Sequence, residues 1–151
     1  MFRRTFYISI FVLITMMFQG CMPVTKPFAP AKIEADKVLV YVYRPESFIA
    51  RGNTWSLKVD GKTVSTYFIN NGYIPIYADV SSENIEIELY PKHLIDLPRY
   101  DAIVLTNVKA GQTYYVKAFM EFGGTPHFEL MDKAVGQKEI SSSLYFEDMM
   151  K

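Results

Sequence analysis

Residues 37–44 alternate two apolar sets, Val38, Val40 and Val42 against Leu39, Tyr41 and Tyr43, so an extended chain here is hydrophobic on both sides. Such a strand needs cover on both faces and belongs at the centre of a layered β structure. Residues 54–60 alternate in the simpler way, Trp55, Leu57 and Val59 inward and Ser56 and Lys58 outward. Asp60-Gly61 then supplies the residues that accept positive φ in a two-residue hairpin, leading into a strand over 63–68. Asn71-Gly72 is a second turn signal, before a strand over 73–78. In 84–89, Ile85, Ile87 and Leu89 share one face and Glu86 and Glu88 the other, the pattern of a half-buried strand. Residues 102–108 and 113–120, separated by Ala110-Gly111, read as another hairpin, and 127–131 as a last short strand. From Asp132 the chain offers a helix start with Asp132 as N-cap, although Gly136 weakens a helix. Seven or eight short strands at this spacing predict an all-β fold, an antiparallel β-sandwich of immunoglobulin-like or transthyretin-like type.

The first 36 residues follow different rules. Arg3 and Arg4 precede an uncharged, mostly apolar run of about 13 residues, from Phe6 to Phe18, where crossing a bilayer as a helix takes about 20. This order reads as a secretory signal peptide over 1–20. The arginine pair also permits a twin-arginine signal, but two basic residues before an apolar core are routine in ordinary ones. Phe18-Gln19-Gly20-Cys21 resembles a bacterial lipobox, with Phe18 and Gln19 departing from its commonest form. The resemblance implies cleavage after Gly20, a diacylglyceryl thioether on Cys21, and N-acylation there as well, which would attach the protein to a membrane through acyl chains. Met22 in place of Asp implies the outer membrane if the source is Gram-negative. Cys21 is the only cysteine, and a lone free thiol would be an oddity in an oxidising compartment. Residues 21–36, with Pro23, Pro27 and Pro30, read as an extended linker that spaces the 37–151 domain from the bilayer.

Composition adds exclusions. Without residues 1–20 the chain has 14 basic and 16 acidic residues, a balance of about −2, which gives no electrostatic footprint for nucleic acid. The remaining 131 residues suit one domain with a single core and no disulfides.

The strand 38–45 (Val-Leu-Val-Tyr-Val-Tyr-Arg-Pro), the 59–62 hairpin (Val-Asp-Gly-Lys), the 110–117 segment (Ala-Gly-Gln-Thr-Tyr-Tyr-Val-Lys) and Phe128-Glu129-Leu130 with Gly136, Glu139 and Ile140 together resemble the DUF2846 family of bacterial lipoproteins. The likeness spans residues 37–140. It implies a compact β-sandwich and carries over no catalytic residue.

Chemistry is sparse. No nucleophile elbow, phosphate-binding loop or zinc-protease motif occurs. His93, with Asp96 and Asp101, fits no standard metal spacing, and Gly123-Gly124 before Thr125-Pro126 reads as a turn. Glu86 and Glu88 read as a solvated strand face, so neither a catalytic group nor a metal or cofactor is expected. The candidate interaction residues are Arg44, expected to pair with a carboxylate while its stem packs on tyrosines, and Tyr67, Tyr73 and Tyr77, whose rings suit protein or glycan contact. The expected function is a non-catalytic envelope component that docks on or stabilises another envelope protein. A binding module for a glycan or small apolar ligand is the alternative; an enzyme would need polar residues that sequence spacing hides.

Overall fold

The computed structural model describes residues 25–79, 84–92 and 98–146. Gly20, Cys21, the signal segment, His93 and Asp96 lie outside the described residues. Two sheets pack face to face. Strands β1 (Thr25–Pro27), β2 (Lys37–Arg44), β5 (Gly72–Asp79), β8 (Thr113–Phe119), β9 (His127–Met131) and β10 (Leu144–Phe146) form a six-stranded sheet in the order β1-β10-β5-β2-β8-β9. Strands β3 (Trp55–Val59), β4 (Lys62–Phe68), β6 (Asn84–Pro91) and β7 (Asp101–Thr106) form a four-stranded sheet in the order β4-β3-β6-β7. The helix α1 (Lys133–Ile140) lies on the six-stranded sheet. The architecture is an all-β sandwich, with ten described strands where the sequence pattern suggests seven or eight.

Alternation settles the core. Val38, Val40, Val42, Ile74, Ile76 and Val116 from one sheet meet Trp55, Leu57, Phe68, Ile85, Ile87 and Leu89 from the other, all buried. The β3–β4 hairpin turns at Asp60 (φ 48°) and Gly61 (φ 74°), both left-handed as a two-residue hairpin requires. Asp60 also ties the hairpin to β6: its Oδ1 accepts from the Glu86 amide at 3.0 Å. Ser56, expected outside, is buried; β3 is an interior strand between β4 and β6, so its outer positions have neighbours on both sides.

Two expectations are corrected. Residues 102–108 and 113–120 do not form a hairpin. Strand β7 pairs with β6 in the four-stranded sheet, whereas β8 runs parallel to β2 and antiparallel to β9 in the other. A left-handed Asn107 (φ 54°) and a buried Val108 carry the chain across. The turn at Gly111 docks on β2: its amide donates to the Lys37 carbonyl at 2.8 Å, and the Leu39 amide donates to Gln112 O at 3.1 Å. The six-stranded sheet is therefore mixed, with parallel pairs β2–β8 and β10–β5, whereas the four-stranded sheet is antiparallel throughout. The second correction concerns the linker. From Thr25 it is bound to the domain: β1 pairs with β10, and Phe28, Ala31 and Ile33 pack on the outer face of β2.

That outer face is a second core. Leu39, Tyr41, Tyr43, Tyr73, Tyr115 and Ile140 are buried there. Phe28 stands edge-on to Tyr41 and Tyr73 with centroids 5.4 and 5.2 Å away, and Tyr41 stacks on Tyr115 at 5.5 Å, geometries that rings favour. Asp132 caps α1, accepting from the Ala134 amide at 2.9 Å. Gly136 has a packing reason to be glycine, since a Cβ there would stand 2.6 Å from Tyr115 Cγ. The helix gives up propensity so that its backbone can touch the ring.

Burial pushes the hydroxyls of Tyr41, Tyr73 and Tyr115 above the ordinary value of 10.0; at Tyr43 burial and the Glu139 carboxylate push it further. An acid whose pKa is raised by folding binds its proton more tightly in the native state. Its contribution is complete below the unfolded value and is lost as pH rises beyond it. Stability, read as a urea midpoint, is expected to hold to about pH 9 and fall steeply above about pH 10. Tyr43→Phe should lessen that slope by at most about 1.4 kcal/mol per pH unit.

Candidate functional site

Parity places Arg44. It ends the series Val38, Val40, Val42, so its side chain enters the sandwich from one end, only 2 % exposed. The guanidinium lies 3.7 Å from the centroid of the Trp55 ring. Nη1 donates to the Asn53 carbonyl and Nη2 to the Ala50 carbonyl, each at 2.6 Å. The expected carboxylate partner and tyrosine packing are thus replaced by two carbonyls and a tryptophan, because the inner end of β2 meets the β2–β3 loop and β3. Burial lowers the guanidinium pKa to about 10, which leaves it charged at neutral pH. Its fork closes the loop over 45–54, where Ala50 takes a left-handed φ of 55° and its carbonyl also accepts from the Asn53 amide at 2.9 Å.

The other candidates scatter. Tyr73 is buried in the outer cluster and offers no surface. Tyr77, 48 % exposed, stands on the outer face of β5, and Tyr67, 39 % exposed, lies on edge strand β4 under Lys92, whose Nζ is 4.4 Å from its ring centroid. Of the two exposed tyrosines only Tyr67 lies at the Arg44 end, where it borders an open depression of about 380 Å³ with Glu46, Arg51 and Asn70. A second pocket, of about 190 Å³, lies beside Arg44 and is lined by Pro45, Ile49, Trp55, Phe119 and Met120.

Two residues without a periodic signal dominate the surface of this end. Phe48 is 93 % and Phe122 92 % exposed. Strands β2 and β8 are parallel neighbours, with Tyr43 opposite Lys117. The loop after β2, carrying Phe48, and the loop after β8, carrying Phe122, therefore leave the sandwich at the same end. Both loops are held by hydrogen bonds. The Ser47 amide donates to Asn70 Oδ1 and the Ile49 amide to Ser47 Oγ, each at 3.1 Å. Gly123 (φ 74°) makes the second turn, closed by Gly124 N to Glu121 O at 3.1 Å. The sequence signal that could have found them is a large ring in a turn-rich segment outside the alternating runs.

The polar clusters are structural in character. Arg99 Nη1 bridges Glu86 Oε1 at 3.0 Å and Glu88 Oε1 at 2.9 Å, and Tyr90 donates to the same Glu88 oxygen at 3.0 Å. Glu88 is consequently buried and not the solvated residue expected. On the other sheet, Tyr43 donates to Glu139 at 2.8 Å and Lys117 pairs with it at 3.0 Å, which binds α1 to β2 and β8. Asp101 Oδ2 accepts from the Phe128 amide at 2.7 Å, joining the β7 and β9 edges. Among the described residues no three His, Cys, Asp or Glu side chains gather as a metal site, and no helix is long and apolar enough to cross a membrane. No protein-family model matches the chain, and neither a curated protein nor a solved structure matches it.

Arg44 can be tested directly. Arg44→Ala leaves two carbonyls without their charged donor and exposes the face of Trp55, so a loss of about 3 kcal/mol is expected. Arg44→Lys should recover less than half of it, since an ammonium cannot span two carbonyls and stack as well. Urea unfolding followed by the emission of Trp55, the single tryptophan, reads both effects, with a red shift in the alanine variant.

Proposed function

We propose that this chain is a lipid-anchored, non-catalytic envelope protein whose sandwich docks on another envelope protein through the Arg44 end. In this reading residues 1–20 are removed after Gly20 and Cys21 is acylated; in a Gram-negative source Met22 sends the protein to the periplasmic face of the outer membrane. The DUF2846-like motifs belong to the same reading.

The observation that carries it is the pair of exposed rings, Phe48 and Phe122, held on two bonded loops at one end of the sandwich. Exposing large apolar rings to water is unfavourable, at about 25 cal/mol per Å² of apolar surface. Rings on preorganised loops, flanked by an apolar pocket, are what an interface uses as anchors, because little conformational freedom is lost when a partner covers them. A protein surface fits this rim better than a small ligand does. The pocket beside Arg44, at about 190 Å³, is below the roughly 300 Å³ at which ligand sites begin, and the larger depression is open with mainly polar loop residues around it.

Two measurements test the reading. Cys21→Ser is expected to abolish acylation and move the protein out of the membrane fraction, because the thioether forms only at that sulfur; unchanged detergent partitioning would refute the anchor. For docking, a photoreactive residue at position 48, set against one at exposed Val104 on edge strand β7, should capture a partner from the former position alone. The double variant Phe48→Ser/Phe122→Ser should weaken that complex by at least about tenfold with stability changed by about 0.5 kcal/mol or less per site. A complex that survives the double variant would remove this end from the interface.

A further inference from the structure

The segment read as a spacer has lost almost all its reach. Thr25, Lys26 and Pro27 pair with Phe146, Tyr145 and Leu144. Phe28 is wedged between Tyr41 and Tyr73. The Ala31 amide donates to the Tyr41 hydroxyl at 2.7 Å, and Ile33 completes the apolar contact before the chain enters β2. If all of 21–37 were extended, it would span roughly 50 Å at about 3.1 Å per residue. With 25–33 docked, only the four steps from Cys21 to Thr25 remain, at most about 14 Å.

We infer that residues 25–33 are a strap that holds the β1–β10 edge of the six-stranded sheet at the lipid surface to which Cys21 is attached; this rests on the acylation proposed above. The acyl chains fix Cys21 at the boundary of the hydrocarbon, and the headgroup region beyond it is about 5–7 Å deep on each side of a bilayer. A tether of about 14 Å therefore leaves Thr25 at most about 7–9 Å beyond the lipid surface. The occupant facing this edge is the headgroup layer of the anchoring membrane, selected by the length of chain that joins them. The edge suits that position. It is a three-residue strand, exposed throughout and ending in Pro27, which lacks an amide to recruit a further strand. Neighbouring strands are about 4.8 Å apart, so β9, five places across the sheet, is the edge turned toward the aqueous side.

The test uses the full-length acylated protein in phosphatidylethanolamine–phosphatidylglycerol vesicles with a dansyl headgroup acceptor, Trp55 being the single donor. Two variants lengthen the tether by different routes: Phe28→Ala frees the strap, and a Gly/Ser insertion of about ten residues after Met22 extends the chain while leaving it docked. Energy transfer should be high in the parent protein and fall about twofold or more in both. If Phe28→Ala disturbs the fold, seen as a shifted Trp55 emission, the insertion alone decides. Transfer equal in the parent and the insertion variant would overturn the strap. Absence of lipid on Cys21 by mass spectrometry would instead overturn the anchor on which it rests, so the two failures are distinguishable.

Discussion

A strand that is apolar on both faces must be covered twice, and β2 imposes that condition on everything around it. Its valines require the four-stranded sheet; its leucine and tyrosines require something on the other side, which no second sheet provides. The cover is assembled from the two ends of the described chain, the segment before β2 and the helix after β9, together with Tyr145. The glycine at 136, the edge-on setting of Phe28 and the hydrogen bond from Tyr43 to Glu139 are all local answers to this one demand.

Much of the strand pattern is legible because alternation and turn chemistry are local. Trp55, Leu57 and Val59 face inward as their spacing requires, and Asp60-Gly61 makes the expected hairpin. What local chemistry leaves open is the sheet a chain enters after a turn. Ala110-Gly111 does mark a turn, but the preceding Asn107 and Val108 have already carried the backbone to the other layer, where β2 receives it in parallel. The strap is obscure for a related reason: Phe28 and Ile33 show no period, and the tyrosines they pack on come from two different strands, β2 and β5. Prolines suggest an extended chain, yet extension does not mean freedom.

The Arg44 end was legible in one residue and hidden in two. A cation at the end of an apolar strand stands out; its partners do not follow, since backbone carbonyls leave no trace in composition. Phe48 and Phe122 become visible only when the parallel pairing of β2 with β8 brings their loops to one end. Burial and display are coupled there, because the cation that closes the interior also shapes the loop that lifts Phe48 into solvent.

Arg44 has a consequence for how the chain finds its alignment. In most strands a slip by one residue is prevented because it would turn apolar side chains to water. Strand β2 lacks that safeguard: exchanging its valines for its leucine and tyrosines presents an apolar surface either way. The terminal guanidinium breaks the degeneracy. Only one parity brings it to the two carbonyls and the indole face; the other leaves a charge beneath the helix with those partners out of reach. A polar residue that adds little apolar burial can thereby act as an index mark, selecting one of two hydrophobically similar alignments.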